Sequence, residues 1–159
     1  MREATVMEHS IEIRAPIESV FGFVADPRND TAWCPRVDWC EQRRGDGPGL
    51  GARYEALHRP TFQHPHSRWI EIREFTPPRH IGSTQEDDIA TFFIDYLLEP
   101  AAGATWLTQR DAIAWKIPRL HLPIAKRIVR RHMGEQLKTL KRLLEADERA
   151  GTAAIERAV

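Results

Sequence analysis

The chain has 159 residues, with 23 basic and 23 acidic side chains that cancel, and two cysteines. Balanced charge leaves no whole-molecule field to attract nucleic acid. Two cysteines are too few for a disulfide framework, and no apolar run reaches the about 20 residues of a membrane span. The length suits one domain with a core of its own. The N-terminus lacks the uninterrupted apolar segment of a secretory signal, so reduced thiols and a cytoplasmic location are the expectation.

In chain order, residues 5–14 read as a strand: Met7, His9, Ile11 and Ile13 share one face, and Glu8, Ser10, Glu12 and Arg14 the other. Pro16 opens a helix at a position where its missing N–H is no loss. Ile17, Val20, Phe21 and Val24 follow at the spacing of a buried stripe, and Asp26-Pro27 ends it. Residues 28–34 have room for a second, short helix. Strands follow over 37–43 and 50–59, joined by the turn Asp46-Gly-Pro-Gly49, with Ala52, Tyr54, Ala56 and His58 on one face. After a loop over 60–66 come strands over 67–75 and 80–85, joined by the turn Thr76-Pro-Pro-Arg79. The strand over 90–99 sends Phe92, Ile94, Tyr96 and Leu98 one way. Pro100-Ala-Ala-Gly103 turns it into the strand over 105–115. The last element is a helix from about Pro118 or Pro123 to about Ala146. Val129, Met133, Gln136, Leu137, Leu140 and Leu144 lie on one face of it, with basic residues mostly on the other. Gly134 weakens that helix locally and suggests a close neighbour. Residues 148–159 lose apolar periodicity and read as a frayed tail beyond a single domain over 1–147.

A long helix that must bury its stripe on a curved antiparallel sheet encloses either a packed core or a cavity. Ile11-Glu-Ile-Arg-Ala-Pro-Ile-Glu-Ser-Val-Phe-Gly-Phe-Val-Ala-Asp-Pro27 followed by Trp33, then Gly51-Ala-Arg-Tyr54, Glu74-Phe-Thr-Pro-Pro-Arg79, Tyr96-Leu-Leu-Glu-Pro100 and Gly103-Ala-Thr-Trp-Leu107, resemble the START-like (SRPBCC) superfamily of birch-pollen-allergen-like proteins. Within it they look like the polyketide cyclase/dehydrase-like branch common in bacteria, over roughly residues 6–146. The resemblance implies an α+β helix-grip fold. In it, a curved antiparallel sheet of about six or seven strands wraps a long C-terminal helix, with two short helices after the first strand and an elongated cavity inside. Members include lipid carriers, hormone receptors and aromatase/cyclases, so fold membership alone settles no activity.

Strand alternation proposes the cavity lining. It offers Tyr54, His58, Phe92, Ile94, Tyr96, Gln109 and Trp115 from the strands and Met133 and Gln136 from the last helix, with Trp33 and Trp69 at a pocket mouth. Most of these are apolar or aromatic, as an oily or aromatic ligand requires. Three residues could carry proton chemistry: His9 on an apolar face, Asp111 two residues from Gln109, and Tyr54. Two readings stand. One is a carrier or sensor of a hydrophobic small molecule such as a lipid, a quinone or a polyketide-like compound. The other is a cyclase/dehydrase-type enzyme with His9 as base, Tyr54 as acid and Asp111 orienting either. An accessory protein that binds quinones or a protein partner is a weaker third.

Cys34, Cys40, His58, His64 and His66 lack the spacings of a metal site, so no metal and no cofactor are expected. Residues 126–142 hold seven lysines and arginines to one glutamate, which leaves transient contact with an anionic membrane open but not stable insertion. The expected assembly is a monomer or homodimer without nucleic acid.

Overall fold

A computed structural model describes residues 4–59 and 64–158. Residues 60–63 of the expected loop lie outside it. Among the described residues seven strands form one antiparallel sheet: β1 (Thr5–Ile13), β2 (Val37–Arg44), β3 (Arg53–His58), β4 (His66–Thr76), β5 (His80–Glu86), β6 (Ala90–Ala101) and β7 (Ala104–Trp115). Their order across the sheet is β1-β7-β6-β5-β4-β3-β2. Two short helices, α1 (Ile17–Val24) and α2 (Asp30–Trp33), follow β1, and α3 (Leu122–Ala158) closes the chain. This is the helix-grip arrangement the resemblance implies.

The strands alternate as their sequences dictate, and the register turns that alternation into rows across the inner face. One row runs His9, Gln109, Tyr96, Ile81 and Phe75. The next runs Met7, Asp111, Ile94, Ser83 and Ile72, and a third runs Ile113, Phe92, Gln85, Ile70 and Tyr54. The β6–β7 hairpin turns on Ala102-Gly103, where Gly103 takes φ +68°, a conformation open to glycine without a Cβ clash. Val20, Phe21 and Val24 of α1 are buried as their spacing requires, and α1 packs on β6 and β7.

On α3 the buried residues are Met133, Leu137, Leu140 and Leu144, which recur every three or four positions. The helix is tied to the end of β1 by polar contacts. Lys141 Nζ donates to the Glu12 carbonyl at 2.5 Å and to Glu145 at 2.7 Å, and Glu145 Oε1 accepts from the Arg14 N–H at 2.9 Å. Gly134 has the neighbour its sequence position suggested: a Cβ built there would stand 3.8 Å from His9 Cε1, an ordinary contact distance.

One expectation fails here. Residues 148–158 are helical rather than a frayed tail, and α3 runs 37 residues, about 55 Å. The segment buries almost nothing, yet alanine, glutamate and arginine are strong helix formers, and extending an existing helix avoids the cost of nucleation. Among the described residues no helix is long and apolar enough to cross a membrane.

Candidate functional site

Between the inner face of the sheet and the N-terminal half of α3 lies a cavity of about 270 Å³. Its apolar walls are Phe92, Ile94 and Trp115 from β6 and β7, Ile89 and Ile117 from the adjoining loops, and Ala125, Ile128, Val129 and Met133 from α3. Phe92 and Trp115 meet edge to face at 6.5 Å, and the Trp115 indole N–H donates to Thr5 Oγ1 at 3.1 Å. Both rings are thereby held in place as walls.

The polar groups sit in distinct clusters. On β7, Gln109 Nε2 donates to both oxygens of Asp111 at 3.0 and 3.2 Å. Gln136 Nε2, on α3, donates to Gln109 Oε1 at 3.1 Å. This relay fixes the Gln109 amide and aims it at the carboxyl. Burial pushes the Asp111 carboxyl up to about 7, against the opposing pull of the Gln109 hydrogen bond and the Arg68 charge. Asp111 therefore changes charge near neutral pH inside an apolar chamber. Asp30, on α2, is pushed up to about 8, also chiefly by burial, with the indole of Trp33 drawing it down.

A second cluster is an ion pair at the wall. The Arg68 guanidinium lies over the Phe92 ring, 4.6 Å from its centroid. It donates to Asp87 Oδ2 through Nη2 at 2.6 Å and Nε at 3.1 Å. The other oxygen of Asp87 accepts the N–H groups of Ile89 and Ala90 at 2.9 and 3.0 Å, and its side chain is fully buried. Burial raises the Asp87 carboxyl, but the Arg68 charge and these hydrogen bonds outweigh it and hold the carboxyl below its ordinary value. Facing them, His58 is driven down to about 3 by burial and by the Arg68 charge, so its imidazole is neutral. A third contact joins Arg36, just after α2, to His132 on α3.

Of the residues singled out from sequence, His58, Phe92, Ile94, Tyr96, Gln109, Asp111, Trp115, Met133 and Gln136 line this one cavity. The remaining four do not. His9 does face inward, opposite Gln109, but it is half-buried on an edge strand with its ring against α3 at Gly134, outside the cavity lining. Tyr54 is wholly buried on the inner face, yet the charged side chains that act on it are Asp26 and Arg28, between α1 and α2. Its hydroxyl has no hydrogen-bond partner among the described residues, and burial pushes it up to about 12. Trp33 is buried behind Tyr96, edge to face at 6.2 Å, and so backs the wall without lining it. Trp69 is 52% exposed on the outer face of β4. Of His9, Tyr54 and Asp111, Asp111 alone is in the cavity lining among the described residues.

Sequence reasoning passed over Arg68, Asp87, Asp30, Arg36 and His132. Arg68 had a signal: it shares the period-two face of Ile70 and Ile72, both buried. Asp87 and Arg36 lie in connections, where alternation says nothing.

Comparison with known proteins follows the same lines. The family model described as polyketide cyclase/dehydrase and lipid transport matches residues 4–145. Among curated proteins, none matches the sequence. Among solved structures, the chain is similar to the Zhui aromatase/cyclase of a Streptomyces species, with 14% identity, 93% of this chain and 98% of that chain covered, and a TM-score of 0.78. It is also similar to a protein from Thermus thermophilus, with 14% identity, 90% and 99% covered, and a TM-score of 0.74. A START superfamily protein from Mycobacterium smegmatis is 18% identical, with 89% and 95% covered and a TM-score of 0.67. At such identities the structural likeness speaks for the fold alone. The sequence match covers most of the domain, and the chain belongs to the polyketide cyclase/dehydrase and lipid transport family.

Proposed function

We propose that the protein binds a hydrophobic or aromatic small molecule in the cavity between sheet and α3, as a carrier or sensor. The observation that carries this reading is the chamber itself. It is about 270 Å³ of space walled by Phe92, Ile94, Trp115, Val129 and Met133, with polar and charged side chains such as Arg36, Arg68, Gln109 and Asp111 set into the walls. That combination suits a ligand whose body is apolar and whose one or two polar atoms fix its orientation. The volume is near the lower end for such sites, so the molecule, or the part of it enclosed, is small. The same reading takes the protein as a cytoplasmic monomer or homodimer without nucleic acid, the balanced charge supporting the last.

Titration with the neutral dye Nile red tests it. The wild-type protein should enhance the dye's fluorescence with saturation at one site. Ile94→Trp, which fills the chamber, should abolish that while the circular dichroism spectrum stays the same. Saturable binding undiminished by Ile94→Trp would place the dye elsewhere and defeat the reading.

Asp111 favours a second reading, a cyclase or dehydrase acting in the same chamber. A carboxyl that titrates near 7 can take a proton from a carbon next to a ketone and return it to an oxygen. Gln109 and Gln136 would be positioning residues for it, while His9 and Tyr54 would take no part. Asp111→Asn separates the two: an enzyme loses turnover while still binding, and a carrier keeps its function.

A further inference from the structure

Two guanidinium groups line the cavity, and they are not equivalent. Arg68 is neutralised by Asp87 at 2.6 Å. Arg36 forms no ion pair among the described residues. The acid whose charge reaches it, Glu135, is held by Arg131 at 2.7 Å. The side-chain partner of Arg36 is His132, through Nη2 and Nε2. A guanidinium can only donate, so His132 Nε2 accepts, which assigns its proton to Nδ1 and leaves the ring neutral. The depressed titration of His132, caused first by burial and next by the Arg36 charge, agrees with that assignment.

Arg36 is thus a half-buried cation at the edge of an apolar chamber, braced by a neutral imidazole and joined in no ion pair among the described residues. Such a group is poorly solvated by its surroundings and has donors to spare. Three acids share the lining: burial keeps Asp30 protonated at neutral pH and raises Asp111 to about 7, and Glu135 is paired with Arg131 at 2.7 Å. We infer that the molecule bound in the cavity is an amphipathic oxyanion, its apolar body among Phe92, Ile94 and Trp115 and its carboxylate-type end on the Arg36 guanidinium, which His132 holds in position. This deepens the cavity-binding reading and rests on it.

The test compares two probes with the same chain, decanoate and decanol, by isothermal titration calorimetry near neutral pH. Decanol is the more apolar, so a preference for decanoate cannot come from burial of the chain. Wild-type protein should bind decanoate about tenfold tighter or more, the worth of a charge-assisted hydrogen-bonded pair. Arg36→Gln should weaken decanoate far more than decanol and so remove that preference, while an unchanged circular dichroism spectrum shows that the variant is folded. Arg36→Lys should restore part of it, since a point charge replaces the fork.

Equal or tighter binding of decanol by the wild type, or loss of both probes in equal measure in an otherwise folded Arg36→Gln protein, overturns the inference and leaves the cavity reading standing. If the wild type binds neither probe, the cavity reading falls and takes this inference with it. Should Arg36→Gln be too damaged to bind either, Arg36→Lys decides: a preference for decanoate reduced several-fold supports the inference, and one unchanged from the wild type overturns it.

Discussion

Replacing Asp111 with asparagine should stabilise the protein in a pH-dependent way. The Asp111 carboxyl moves from an ordinary 3.8 to about 7 in the fold, chiefly through burial. A group whose folded pKa lies above its unfolded value holds more protons folded than unfolded between the two. Its contribution to stability is therefore intact below about 4, is lost as pH rises through about 7, and is constant above. At 1.36 kcal/mol per unit the full loss is about 4 kcal/mol. Water entering the cavity reduces this, so a loss of about 2 to 4 kcal/mol is expected.

The asparagine side chain would stay neutral at every pH and keep an oxygen to accept from Gln109 Nε2. The variant and the wild type should therefore match near pH 3.5, below the ordinary 3.8 of the unfolded carboxyl, and the variant should be more stable by about 2 to 4 kcal/mol near pH 8. Urea unfolding followed by tryptophan fluorescence gives both values. Each pH needs its own wild-type comparison, because His58 acts with the opposite sign. Its pKa falls from 6.5 to about 3 in the fold, so its contribution to stability grows as pH rises across that interval. A stability difference between variant and wild type that is the same at both pH values would refute the claim that Asp111 is ionised at a cost in this chamber.

Asp87→Asn should cost about 3–5 kcal/mol in the same unfolding assay, because it leaves the Arg68 guanidinium buried without its counter-charge. A loss under about 1 kcal/mol would mean that water reaches this pair freely. Gly134→Ala should stabilise by up to about 1 kcal/mol through helix propensity, since the nearest atom to the new methyl is His9 Cε1 at 3.8 Å. Destabilisation would show that α3 sits closer to β1 than this spacing. His9→Ala should leave Nile red binding unchanged, because His9 lies outside the cavity lining. A several-fold weaker affinity would put it in the site after all.

Most of the architecture was legible because two periods carry it. The alternation of Phe92, Ile94, Tyr96 and Leu98, and that of Gln109, Asp111, Ile113 and Trp115, put the right faces inward. The three-to-four spacing of Met133, Leu137, Leu140 and Leu144 put the right side of α3 against them. The register then joined residues far apart in the chain, such as Asp111 with Ile94, that alternation alone could only place on the same side.

What sequence reasoning missed follows from the same limits. Trp69 was chosen for its aromatic chemistry against its own alternation, which makes Arg68, not Trp69, the inward residue of β4. His9 and Tyr54 are on the correct face, but period two cannot say which part of a curved sheet a residue underlies. One lies on an edge strand against Gly134 of α3, the other near Asp26 and Arg28, which follow α1. Asp30, Arg36 and Asp87 belong to short helices and connections, whose positions depend on tertiary packing rather than on any local repeat.

Native mass spectrometry of the gently purified protein, with extraction of anything bound, tests the central claim most directly. The account predicts one small apolar or amphipathic molecule per chain, absent from Ile94→Trp protein prepared the same way. A wild-type protein that arrives empty, and gains neither mass nor thermal stability from a panel of hydrophobic compounds that includes decanoate, would contradict it.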